Sequence, residues 1–323
     1  MSASPRSLDA KLARIRAGRY TPADFVIADA KDGDMSMGVV TPGLRDGRPR
    51  PLAEYRAAMR EMTASGLVDV MLMSLSSAEV LQGMCDGTAV TPAVRLNDAS
   101  DIWGFRGASY RTVPAAPFRT ARIDRALAVA DLGLYAITFY NDLARDVLTL
   151  ERYAAFRDEA GAAGMRHFLE VFNPAFPIET AGSSLGDFVN DAIARCLAGV
   201  ASADRPLFLK MPYNGPRQME ELAAFDPGAL IVGILGGAAG TTRDTFELVS
   251  QAERHGARIA LFGRKIYFAE DGVEIVAAMR RVVERVQTPA DAVRDYHDRL
   301  AKKGLAPARP LEADLEITEA VLK

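Results

Sequence analysis

The sequence places a lone lysine at the end of an apolar run, in "RPLFLKMPYNG" (205–215). Seven of the 39 Lys+Arg residues are lysine, and Lys210 is the only one between Lys31 and Lys265. Where this chain needs only positive charge it uses arginine, which stays protonated and cannot serve as an amine nucleophile. A lysine buried among Phe208, Leu209 and Met211 is expected to have its pKa pushed downward. The free amine that results attacks a ketone or aldehyde to give an imine, an electron sink that lets a neighbouring carbon–carbon bond break or form. The plainer alternative is an edge-strand lysine whose amine reaches solvent.

Imine chemistry needs a group that moves protons, and "FLEVFNP" supplies Glu170, again ionisable among apolar neighbours. Burial raises such a carboxyl toward the range useful for acid–base work, unless an arginine of a neighbouring strand pairs with it. Earlier, "IADAKDGD" gives Asp29, Lys31, Asp32 and Asp34. Asp29 is expected to face inward, with Lys31 as its partner or as a substrate ligand. Tyr140, in "TFYND", is either a proton donor or a rim aromatic, and Tyr213 is a weaker candidate of the same kind. Arg95 suits a substrate carboxylate or phosphate, or a neighbouring acid. The glycine turns of "GILGGAAGTT" and "LFGRKIY" let backbone N–H groups approach an anion, which makes Gly236, Gly237, Gly263 and Arg264 phosphate-site candidates. Tight turns that simply require glycine are the alternative.

These residues stand at the ends of strand-like segments. Apolar runs occur at 25–30, 69–74, 90–96, 133–139, 166–171, 206–211, 229–234 and 258–262. Most are continuous rather than alternating, as parallel strands covered on both faces are; Pro92 weakens the third. Helical patterns follow at 52–65, 76–84, 120–131, 149–163, 183–199, 216–225, 242–255 and 271–285. Ser76 or Ser77 before Glu79, and Thr241-Thr242, read as helix starts, and Gly256 as a stop. Eight strand–helix units in order predict a (β/α)8 TIM barrel in a single domain, 1–323, with the barrel over about 25–285. A doubly wound sheet would more often show a glycine-rich first turn. Residues 7–17 read as a helix over the barrel floor. Residues 288–323 read as an extension on the outside or against another subunit. The stretch 31–51 is long enough for a lid or binding loop.

Composition narrows the class. The net charge is -3 with mixed signs, which argues against nucleic acid. No run suggests a membrane span, and the first residues lack the apolar core of a signal peptide. Cys85 and Cys196 read as reduced thiols, so a cytoplasmic protein is expected. The histidines, His167, His255 and His297, form no ligand pair, no C-x-x-C or Walker loop occurs, and no metal or cofactor is expected.

Over residues 25–285 the chain resembles the class I, Schiff-base aldolases of the deoxyribose-phosphate, tagatose-bisphosphate and sulfofructose-phosphate group. The likeness is carried by "LKMPYNG", "FLEVF" and "GILGGAAG…TFELVSQAERHGARIALFGRKIY". It implies that Lys210 forms the imine, Glu170 transfers the proton, Asp29 matches the strand-one aspartate and Gly263-Arg264 lies on the phosphate side. It also implies a homo-oligomer whose small-molecule partner is a phosphorylated sugar or keto acid. The chain departs from that group after strand one and at the strand-four end, where Thr138-Phe139-Tyr140-Asn141 holds no lysine. The substrate is therefore left open. Other imine chemistry (transaldolase-like, dehydratase or acyl transfer), a non-catalytic sugar-phosphate-binding barrel and a metal-dependent barrel enzyme are the competing readings.

Overall fold

Eight parallel strands run through the chain: β1 (Val26–Lys31), β2 (Val70–Met73), β3 (Thr91–Arg95), β4 (Leu132–Thr138), β5 (Arg166–Phe172), β6 (Leu209–Lys210), β7 (Gly233–Leu235) and β8 (Ile259–Phe262). They form one sheet in the order β6-β5-β4-β3-β2-β1-β8-β7. A Met211–Ile234 bridge and the Leu209 N–H donating to Ile231 O join its two ends, so the ring closes. The protein is a (β/α)8 TIM barrel, seen in a computed structural model that describes residues 6–237 and 240–323.

Alternation along each strand sorts side chains into two layers. Val26, Ala28, Ala30, Leu134, Phe168, Phe208, Ile231 and Leu261 pack together inside the barrel. Phe25, Ile27, Val94, Leu169, Leu209 and Ile234 pack outward against the helices. The same parity aims Asp32, Arg95, Glu170 and Lys210 inward at the ends where the strands finish.

Helix α1 (Ser7–Arg16) buries Leu8, Leu12 and Ile15, one face of a helix, in the interior cluster. Lys11 donates to Phe25 O and pairs with Asp69, and Arg16 donates to Leu207 O, which fastens α1 under the strand starts. It caps the floor as its sequence implies. The C-terminal helix Pro289–Lys302 lies outside on the helices Thr242–Arg254 and Gly272–Val283 through Ala292, Val293, Tyr296 and Leu300.

Several boundaries differ from the sequence reading. The helix expected at 120–131 is one turn, Ile123–Ala126, followed by hydrogen-bonded turns that end at Asp131, which Arg6 and Arg166 hold. The helix expected from 149 starts at Leu143, because Asp142 caps it by accepting from the Arg145 N–H. Ser76 and Ser77 lie inside a helix, Leu75–Val80, whose N-cap is Ser74. Thr241 does cap its helix, in a reciprocal box with Asp244. Strand β3 forms despite Pro92, which stands opposite Met71. Strands β6 and β7 are shorter than their apolar runs and approach closely: a Cβ on Gly233 would stand 2.6 Å from Leu209 O. The 31–51 stretch is built from short pieces, a helical turn Asp34–Met37 and a hairpin pairing Leu44–Arg45 with Arg48–Pro49. No helix among the described residues is long and apolar enough to cross a membrane.

Candidate active site

At the strand ends the barrel opens into a cavity of about 440 Å³. Its charged wall is a chain of four groups. Lys210 Nζ lies 2.6 Å from Glu170 Oε1. Arg95 Nη2 donates to Glu170 Oε2 at 2.7 Å, and Arg95 Nε donates to Asp32 Oδ2 at 2.5 Å. Lys210, Glu170, Arg95 and Asp32 expose only 5, 1, 3 and 7% of their surface, so water screens these pairs little. All four line the cavity.

The strands set this geometry. Glu170 and Lys210 are register partners on adjacent parallel strands, so their inward side chains meet without a loop to position them. Arg95 reaches across from β3, two strands away from β5, and takes the carboxylate's other oxygen. Burial works to raise the Asp32 carboxyl, but Arg95 and then Lys210 outweigh it and hold it below the usual carboxylate range. Burial works against the Arg95 charge, while Asp32 and Glu170 more than compensate and push its pKa up. With all four ionised the chain of charges is neutral. Lys210 is therefore not an amine among apolar side chains alone, as its sequence context suggested. A carboxylate able to take its proton is already hydrogen-bonded distance away.

Two buried atoms of this wall have no partner among the described residues: Arg95 Nη1 and Asp101 Oδ1. Asp101 belongs to the connection after β3 and also lines the cavity. Its Oδ2 accepts from Thr138 Oγ1 at 2.7 Å and from Tyr140 Oη at 2.6 Å.

Four of the expected site residues stand elsewhere. Asp29 does not face inward. It shares the outward parity of Phe25 and Ile27, is fully buried behind the barrel wall, and accepts from Lys31 Nζ with both oxygens at 2.7 Å. Burial raises its carboxyl despite Lys31. Lys31 is thus spent on Asp29 and on the face of the Tyr267 ring, 5.2 Å away, and neither Asp29 nor Lys31 lines the cavity. The inward acid of that segment is Asp32. Tyr140 is buried off the cavity, where its hydroxyl donates to Asp101 and accepts from the Ala115 N–H at 3.0 Å. Burial, then Asp101, push the phenol pKa up. Tyr213 points away too, donating to Gln251.

Gly236, Gly237, Gly263 and Arg264 all line the cavity, after β7 and β8, the strands between β6 and β1. Gly263 sits tight on β1: a Cβ there would stand 2.6 Å from Ala30 O. The Arg264 side chain has no ion-pair or hydrogen-bond partner among the described residues. Burial and then the nearby Arg111 lower its pKa. Asp101 and Arg111 were not singled out by sequence. Both come from the 96–122 connection, whose signal was present as its length and as Trp103, the only tryptophan. Among the described residues no group of three or more His, Cys, Asp or Glu side chains is arranged to hold a metal ion.

No family model matches the chain, and no curated protein does. Solved structures do. An archaeal fructose-1,6-bisphosphate aldolase, with its catalytic lysine covalently bound to the carbinolamine intermediate of the substrate, shares 17% identity. It aligns over 86% of this chain and 99% of its own, with a TM-score of 0.61. A fructose-bisphosphate aldolase from Slackia heliotrinireducens aligns over 91% of this chain and 90% of its own at 12% identity and TM-score 0.65. A Corynebacterium glutamicum protein aligns over 88% and 99% at 20% identity and TM-score 0.56. At these identities the likeness is one of fold.

Proposed function

We propose that this chain is a class I, metal-independent aldolase that makes or breaks a carbon–carbon bond in a phosphorylated ketose or keto-acid sugar derivative. The observation that carries the reading is Lys210, a buried amine at the inner end of a cavity, hydrogen-bonded at 2.6 Å to Glu170. The carbinolamine described on the lysine of the archaeal aldolase supports it by analogy of fold.

In this reading Lys210 passes a proton to Glu170 along their hydrogen bond, and the neutral amine adds to the substrate carbonyl. Glu170 returns the proton as water leaves, giving a protonated imine. For cleavage, Glu170 then takes the proton of the hydroxyl on the far carbon. The carbon–carbon bond breaks into an aldehyde, and its electron pair enters the imine as an enamine. Reprotonation and hydrolysis release the second carbonyl product. Arg95 holds Glu170 in place from its other oxygen, and Arg95 Nη1 and Asp101 Oδ1, buried and without a partner among the described residues, await a donor-and-acceptor group such as a substrate hydroxyl. Gly236, Gly237, Gly263 and Arg264 take the phosphate. A cytoplasmic homo-oligomer belongs to the same reading, and light scattering measures the oligomer.

Borohydride trapping tests it. Incubation with dihydroxyacetone phosphate, pyruvate and candidate sugar phosphates, reduction and peptide mapping should give an adduct on Lys210 whose mass names the carbonyl partner. Activity should survive EDTA. A folded protein that yields no adduct with any of them is not an imine-forming enzyme on this panel, and the binding-barrel reading replaces this one.

A further inference from the structure

The cavity holds four cations, Arg95, Arg111, Lys210 and Arg264, and three acids, Asp32, Asp101 and Glu170. Asp32 and Glu170 are engaged by Arg95 and Lys210, and Asp101 is held by Thr138 and Tyr140. Arg111 and Arg264 are left: neither side chain has an ion-pair or hydrogen-bond partner among the described residues. By contrast Arg119 and Arg122, from the same connection as Arg111, pair with Glu159 and Asp124. Two unpaired guanidinium groups lining one cavity repel each other unless an anion sits with them.

They arrive from different parts of the fold. Arg264 opens the helical turn after β8, beside Gly263. Arg111 lies in the turn Tyr110–Thr112 of the connection after β3, three places away from β8 around the barrel. That connection is built in place. Asp98 N–H donates to Phe118 O at 2.8 Å, Gly104 N–H donates to Ser36 O at 3.0 Å, and Asp101 is tied to the end of β4. Trp103 packs edge-on against Tyr110 at 5.1 Å and Phe118 at 5.5 Å. Arg111 is thus carried to the mouth by an ordered arm.

We propose that Arg111 is the second jaw of an anion subsite whose first jaw is Arg264, and that a phosphoryl group of the ligand is gripped between them. This rests on the phosphate placement in the aldolase reading and adds a residue the glycine turns do not supply. Guanidinium groups suit it, since each offers a planar fork to phosphate oxygens.

The probe is inorganic phosphate, titrated into the full chain by calorimetry and followed in parallel by Trp103 fluorescence. Wild type should saturate, and R111Q and R264Q should each raise the phosphate Kd by about tenfold or more. R111K should recover part of the loss, and the wild-type affinity should fall with salt more steeply than that of R111Q. Arg111 is exposed and its side chain has no hydrogen-bond or ion-pair partner among the described residues, so R111Q should melt as wild type does. Phosphate binding unchanged in R111Q, or no saturable binding in wild type, would overturn the proposal. Borohydride trapping of the wild-type chain with the carbonyl panel above separates the two readings. If no compound of that panel traps on Lys210 while phosphate binding still depends on Arg111, the aldolase reading falls and the subsite stands.

Discussion

Glu170 and Lys210 are paired twice, as register partners on β5 and β6 and as side chains 2.6 Å apart. Backbone register is a stiff constraint, so the contact between them is set by the sheet, and with it the proton path of the proposed reaction. Glu170→Gln keeps the shape and a hydrogen bond but accepts no proton. It should lower kcat by roughly 10²- to 10⁴-fold. Single-turnover trapping should show the Lys210 adduct forming slowly rather than not at all. A kcat within a few-fold of wild type would remove Glu170 from the chemistry.

Arg95 holds two buried carboxylates, so removing it leaves Asp32 without an ion-pair partner and Glu170 with Lys210 alone. Arg95→Met should cost about 3–5 kcal/mol in denaturant unfolding, the range for breaking a buried pair. Adding Asp32→Asn to that variant should restore part of the loss, because a neutral amide tolerates burial better than an orphaned carboxylate. Additive losses in the double mutant would mean that Asp32 and Arg95 are not energetically coupled.

The barrel itself was legible because parallel strands covered on both faces read as unbroken apolar runs. Lys210 and Glu170 were legible as ionisable residues inside such runs. Parity was the weak point. Asp29 and Asp32 lie three residues apart and so face opposite sides of the wall, and the sequence does not print which alternate set is interior. A single wrong choice of phase sent Asp29 into the cavity and left Asp32 out, while Lys31 takes the first of its two expected roles, as the partner of Asp29. The residues of the 96–122 connection were hidden for another reason. A loop has no period, so nothing local reveals that Asp101 is tucked under Tyr140 or that Arg111 reaches the mouth.

His167 makes stability fall in acid. Burial lowers its pKa from 6.5 to about 4, and its Nε2 lies 2.9 Å from the Tyr153 hydroxyl. Below pH 6.5 the unfolded chain takes up a proton that the buried ring refuses. Its contribution is therefore fully present above that value and is lost as pH falls toward about 4, a loss of about 3 kcal/mol across the window. Urea unfolding at a series of pH values should show this slope, and His167→Gln should flatten it. An identical slope in the variant would assign the acid sensitivity to other groups.

Gly263 is a packing glycine at the edge of the proposed anion site. An added Cβ would meet the Ala30 carbonyl oxygen at 2.6 Å, which is backbone and cannot swing aside. Gly263→Ala should push β8 from β1 and destabilise the fold by about 1–3 kcal/mol. Because Arg264 follows directly, phosphate affinity should fall as well. A variant as stable as wild type would mean that the two strand ends part freely.

Tyr140 decides between a chemical and an architectural role for the strand-four end. Its hydroxyl donates to Asp101 and receives the Ala115 N–H, so it joins both ends of the cavity's long arm while standing outside the cavity. A proton donor to substrate would cost roughly 10²- to 10⁴-fold in kcat when lost. A brace would cost little in kcat but would loosen Asp101 and the arm that carries Arg111. Tyr140→Phe should therefore keep kcat within a few-fold, raise KM for a phosphorylated substrate, and leave borohydride trapping of unphosphorylated dihydroxyacetone unchanged. A collapse of kcat at unchanged KM would return the tyrosine to the reaction. That result would also require Tyr140 to leave Asp101 and enter the cavity during turnover.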